Sequence, residues 1–176
     1  MITKELKAIK RLEIVSTETY CMNPLREKLI GYFLSYDIPW THAFTGTFKR
    51  KIYSKSKAER PCLTFANNIN QCFGYETKRR VYKKHKHTRL PNISVIEGDG
   101  TDTHIHCHFL LCLPPDIPFL YLFWLVTRAW LKTGNATIQH NHFEPIYNLH
   151  GWVDYITKEV SSKQCDAIDF RSTHLW

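Results

Sequence analysis

Residues 103–111 read Thr-His-Ile-His-Cys-His-Phe-Leu-Leu, so His104, His106 and His108 recur at every second position. Side chains two apart on a β-strand share a face, and this segment therefore lines up three imidazoles on one side of a strand. The β-prone residues that follow, Phe109 to Leu113, predict a strand whose far end is buried and whose mouth carries the row. A lone strand histidine is ordinarily a hydrogen-bonded core or surface group. Three in alternation are different, because burying them without partners is costly, an exposed strand gains nothing from them, and a metal ion gives all three a use.

The residues upstream supply a carboxylate. Ile93-Ser94-Val95-Ile96-Glu97 reads as a short strand and Gly98-Asp99-Gly100 as a turn, so the two strands pair as a hairpin that brings Glu97 near the histidines. Asp99 and Asp102 are further carboxylates in the same turn. A set of one carboxylate and two or three imidazoles suits a divalent ion, Mg²⁺ or Mn²⁺ with Zn²⁺ also possible, and leaves room for water or phosphate oxygens. Cys107 alternates to the opposite face from His106 and His108. Spacing alone leaves open which of His104, His106 and His108 bind, with His104 an alternative to His108.

The rest of the chain bounds what such a site can serve. Its 176 residues, 43% of them apolar, suffice for one domain with a sizeable core. A formal charge of +8, from 24 Lys and Arg against 16 Asp and Glu, favours a polyanionic partner. The six cysteines include no Cys-x-x-Cys pair, which speaks against a zinc ribbon or a thioredoxin-like motif and for reduced, mostly buried thiols. The first residues, Met1 to Arg11, contain no signal-peptide core, and the apolar run between Asp116 and Arg128 is too short for a bilayer. A cytoplasmic protein with no membrane role is expected.

Periodicity gives the order of elements. Asn23-Pro24 starts a helix carrying Leu25, Leu29, Tyr32 and Phe33, and Trp40 to Phe48 is aromatic and β-branched and reads as the first central strand. A second amphipathic helix follows Pro61, then the hairpin, an apolar helix from Ile117 to Leu131, a strand over Ala136 to Phe143, and a last helix from Gly151 to Ser162. The β-α-β-β-α-β run predicts an α+β fold, a central antiparallel sheet of the ferredoxin or RRM kind with helices packed mainly on one face. Residues 1–39 are expected to form a helical segment packed on a core of residues 40–176, effectively a single domain.

The last helix carries Trp152-Val153-Asp154-Tyr155-Ile156-Thr157-Lys158-Glu159. Trp152, Ile156 and Val160 form its apolar arc, with Tyr155 and Lys158 beside it, so that Tyr155 can lean into a site while the helix packs on the sheet. Together with the strand Phe44-Thr45-Gly46-Thr47-Phe48 and the His106-Cys107-His108 pair, this order of motifs resembles the HUH endonucleases, whose name denotes a His-hydrophobic-His metal motif. Among them it is similar to the rolling-circle replication initiators of small plasmids and phages. The resemblance covers roughly residues 40–162, with a cysteine standing where the family has a bulky hydrophobe.

The resemblance implies a metal-dependent nicking and joining of single-stranded DNA, with Glu97, His106 and His108 as ligands, Tyr155 as nucleophile and Lys158 as its electrostatic support. It implies a single-stranded or supercoiled DNA origin as substrate. No Gly-x-x-x-x-Gly-Lys-Ser/Thr occurs in the chain, so strand separation and synthesis would fall to a host helicase and polymerase. Thr45, Thr47, Lys49 and Arg50 on and after the first strand are candidate DNA contacts. So is the basic segment with Arg79, Arg80, Lys83 and Lys84, where Tyr75 and Tyr82 are interleaved and no carboxylate occurs between Glu76 and Glu97. An HUH-type transposase or relaxase fits the same chemistry. From other classes come a non-catalytic, zinc-stabilised DNA-binding regulator and a metal-dependent phosphoester hydrolase in which water attacks and Tyr155 only packs.

Overall fold

The computed structural model describes residues 23–74, 89–98, 104–160 and 167–175. Asn23 caps helix α1 (Pro24–Leu34), its side chain accepting from the Leu25 amide at 3.0 Å, with proline at the first helical position as the sequence predicts. Strand β1 (His42–Gly46) leads to helix α2 (Lys55–Cys72), then to β2 (Asn92–Glu97) and β3 (His106–Leu111). Helix α3 (Phe119–Leu131), strand β4 (His142–Pro145) and helix α4 (Leu149–Ile156) complete the named elements.

The four strands form one antiparallel sheet in the order β2-β3-β1-β4, which is the split arrangement that the β-α-β-β-α-β sequence predicts. The α+β class therefore holds. The helices, expected mainly on one face, occupy both. Phe44, Ile96, Cys107, Phe109 and Leu111 meet Phe65 and Ile69 of α2 and Val126 and Trp130 of α3 on one side. Ala43, Ile93, Val95 and Leu110 meet Ile30 and Phe33 of α1 and Val153 and Ile156 of α4 on the other. The physical reason is that the strands alternate two apolar sets, so each face needs its own cover.

Several boundaries also move. Helix α2 begins at Lys55 rather than after Pro61, because Ala58 already belongs to its buried stripe, and Pro61 lies within it. The fourth strand is His142–Pro145, later than Ala136–Phe143; of the earlier stretch, Ala136 makes only an isolated bridge to Phe48, and Thr137 donates to the Thr47 carbonyl. Near the end of β1, the Trp130 ring lies where a side chain at Gly46 would sit: an added Cβ would fall 2.6 Å from Trp130 Cε2. The indole Nε1 donates to the Thr47 carbonyl at 3.0 Å.

Two connections set α4 in place. Arg26 of α1 donates to the Asp154 carbonyl at 2.7 Å and to its carboxylate at 2.8 Å. The Gly98 amide, just past β2, donates to the Glu159 carboxylate at 2.9 Å, tying the hairpin to the turn after α4. Residues 167–175 run along the outer edge of β2, with paired hydrogen bonds between Asn92 and His174 and isolated bridges at Asn92 and Val95. That strip covers a sheet edge which would otherwise present unpaired backbone groups. Among the described residues no helix is long and apolar enough to cross a membrane.

Candidate metal centre

Register, more than spacing, builds the site. Glu97 is directly opposite His106, and His108 is opposite both Val95 on β2 and Thr45 on β1. Opposed residues in an antiparallel pair project to the same face, so Glu97, His106, His108 and Thr45 converge on the side of the sheet that α4 covers. Cys107 points the other way and packs against Cys62 in the opposite core, as the alternation predicts. Cys62 and Cys107 are both free thiols.

Glu97, His106 and His108 each offer a donor atom within 4.8 Å of the other two, an arrangement able to hold a divalent ion. Both imidazoles aim Nε2 at the same carboxylate oxygen, His108 at 2.7 Å and His106 at 3.5 Å from Glu97 Oε2. Their other nitrogens are already engaged. His108 Nδ1 lies 2.9 Å from Thr45 Oγ1, and His106 Nδ1 lies 3.0 Å from the His104 carbonyl. Without a cation the Nε2 protons face Glu97; if a cation took their place and the remaining proton of each ring lay on Nδ1, those two contacts would orient the imidazoles and leave both Nε2 lone pairs for the ion, the outer support that ligating histidines ordinarily have. The donor set thus fits a divalent cation by chemistry as well as proximity.

His104 does not join this group. Strand β3 starts at His106, and the His104 ring is exposed and stacks on Tyr53 with centroids 6.5 Å apart. Its contribution is its backbone carbonyl, so the alternative in which it replaces His108 is not the arrangement found. Thr45, expected at DNA, has its hydroxyl against the His108 ring. Thr47 turns its hydroxyl to the Gln139 carbonyl and the Asn141 side chain. Lys49 and Arg50 are exposed. Arg79, Arg80, Lys83 and Lys84, like Asp99, Asp102, Tyr75 and Tyr82, lie outside the described residues.

Electrostatics separate the three titrating groups. Burial pushes the Glu97 carboxyl up, but hydrogen bonds from His106, His108 and Lys158 outweigh it and hold the group well below the usual carboxylate range. His106 is raised, first by its hydrogen bond to Glu97 and against its own burial. The nearer ring, His108, is lowered, because it is almost wholly enclosed and desolvation outweighs the same carboxylate. A charged carboxylate beside a neutral inner imidazole is the state a cation binds.

Tyr155 and Lys158 arrive from α4. Asn148 caps that helix, its side chain accepting from the Gly151 amide at 3.0 Å, and Val153 and Ile156 bury its inner face. The helix ends at Ile156, short of the expected Ser162, where Thr157 is buried and donates its hydroxyl to the Val153 carbonyl. Lys158 consequently sits in the following turn. There its ammonium doubles back to 2.7 Å from Glu97 Oε1 and 4.0 Å from the centre of the Tyr155 ring. Burial lowers the Lys158 ammonium, but hydrogen bonds with Glu97 and Tyr155 raise it overall, so the charge is kept. The Tyr155 ring stands edge-on to His108 with centroids 5.3 Å apart and is 43% exposed, so a substrate can reach it.

No family model, curated protein or solved structure matches the chain.

Proposed function

We propose that this chain nicks and rejoins single-stranded DNA through a tyrosine-linked intermediate, the chemistry by which rolling-circle replication is initiated. The observation that carries the reading is the convergence of Tyr155 and Lys158, from α4 and its following turn, on the same sheet face as Glu97, His106 and His108. A phenol, a fixed ammonium and a cation-binding group within one side chain's reach of each other are what attack on a phosphodiester requires.

A divalent ion held by Glu97, His106 and His108 supplies charge neutralisation and orientation for a phosphate. The residues do the rest. The Tyr155 oxygen bonds to phosphorus as the bond from phosphorus to the 3′-oxygen breaks, leaving a 5′-phosphotyrosine and a 3′-hydroxyl. The phenolic proton passes to water and the departing 3′-oxygen takes one up, so the balance closes without a nucleotide cofactor. The Lys158 ammonium, 4.0 Å from the centre of the Tyr155 ring, is placed to offset the negative charge that develops during the transfer. Thr45 and the His104 carbonyl hold the two imidazoles still. Joining is the same step reversed, with the 3′-hydroxyl attacking and phenolate leaving.

The test uses labelled single-stranded oligonucleotides of randomised sequence with Mn²⁺. The protein should acquire label that survives denaturation, and chelation or Tyr155→Phe should abolish it. Equal labelling of the phenylalanine variant defeats the proposal. Cleaved DNA with no linked protein points to water as the attacking group instead.

A further inference from the structure

Tyr155 and Thr45 also form part of the wall of a cavity of about 520 Å³ between β4 and α4, completed chiefly by His142, Glu144, Tyr147 and Trp152. Its size is that of a small-molecule site, and its chemistry is unlike that of the adjoining metal centre. None of the described residues lining it is lysine or arginine, and the one carboxylate among them is Glu144. A phosphate placed there would face a negative charge with no fixed cation among these residues to offset it. An uncharged planar group would instead find aromatic surface, with Trp152 packed edge-on to Tyr155 at 5.7 Å and Tyr147 89% exposed beside it. Tyr155 therefore stands between a place for phosphate and a place for something flat and apolar.

Resting on the nuclease reading, we propose that this cavity receives the base of a nucleotide flanking the scissile phosphate, and that Glu144 selects an amine-bearing base over thymine. Stacking on aromatic rings is indifferent to base identity. The carboxylate is not, since it only accepts hydrogen bonds. Adenine, cytosine and guanine each offer it an exocyclic amine, as carboxylates take the cytosine amine elsewhere. Thymine offers one ring N–H between two carbonyl oxygens, both of which a carboxylate repels. The expected discrimination is about tenfold for one such contact.

The test measures binding of fluorescent oligo(dA), oligo(dC) and oligo(dT) by anisotropy with Mn²⁺ at one salt concentration. Wild type should bind oligo(dA) and oligo(dC) about tenfold more tightly than oligo(dT). Glu144→Gln, which can donate to a thymine carbonyl, should tighten oligo(dT) and bring the three close to parity. Trp152→Ala should weaken all three by a similar factor. Equal wild-type affinities, or a preference that Glu144→Gln leaves intact, overturn the proposal. Sequencing the strands linked covalently from a randomised pool separates the two readings. Adducts with no loss of thymine at either position beside the cut sink the base pocket alone, while the binding preference without adducts sinks the nuclease. Failure to bind any single strand overturns both.

Discussion

Replacing Glu97 by glutamine keeps the side chain's shape and removes its charge, and the structure fixes the sign of the result before metal is added. Burial opposes the charge and three hydrogen bonds favour it; the carboxyl is held below its ordinary range, so the folded protein prefers the charged form. A neutral isostere must therefore destabilise. The contact with His108, whose side chain is only 3% exposed, is a hydrogen bond to a charged group, a class worth about 1.5–3 kcal/mol. The Lys158 contact is discounted to at most about 1 kcal/mol, since that side chain is 38% exposed. Glutamine retains one acceptor, so the net loss should be about 2 kcal/mol, or roughly 4–8 °C in melting temperature for a chain of this size.

The assay is thermal unfolding in a chelator across pH. A depressed carboxyl contributes stability above its unfolded value, near 4.3, and loses it as pH falls toward the folded value. The gap between wild type and Glu97→Gln should thus be full at neutral pH and narrow in acid. Mn²⁺ should then widen it, because a ligand at about a hundred times its dissociation constant adds about 2.7 kcal/mol to the form that binds it. A variant that melts with the wild type at neutral pH in chelator, or gains equally from Mn²⁺, would refute both the electrostatic ordering and the ligand assignment.

Thr45→Val removes the oxygen facing His108 Nδ1 and should weaken Mn²⁺ binding about 10- to 100-fold by calorimetry while leaving the fold intact. Lys158→Met should retain metal binding and slow covalent adduct formation at neutral pH; adduct formation at the wild-type rate would count against its electrostatic role. Metal affinity itself should fall in acid, roughly tenfold for each pH unit below the point at which His106 takes up its proton, as titrations over pH would show. Gly46→Ala drives a methyl into the Trp130 ring and should cost about 1–3 kcal/mol in urea unfolding; an unchanged midpoint would mean that the ring yields freely.

What the chain's own pattern determined is local. Alternation placed His106 and His108 on one strand face with Cys107 on the other, Asn23-Pro24 marked a helix start, and the hairpin brought Glu97 to the histidines. Those features depend on the period of a strand or the geometry of a turn, which neighbouring residues fix among themselves. The tertiary structure decided the rest. Pairing begins at His106, so His104 serves through its carbonyl, and Thr45 meets His108 only because β1 adds to β3 in that register. Helix α4 stops where Thr157 is buried, which swings Lys158 onto Glu97 and Tyr155, and helices cover both faces because each alternate set of strand residues needs a partner. Register, helix ends and layer order are settled by contacts between residues far apart in the chain, and a periodic pattern has no means of recording them.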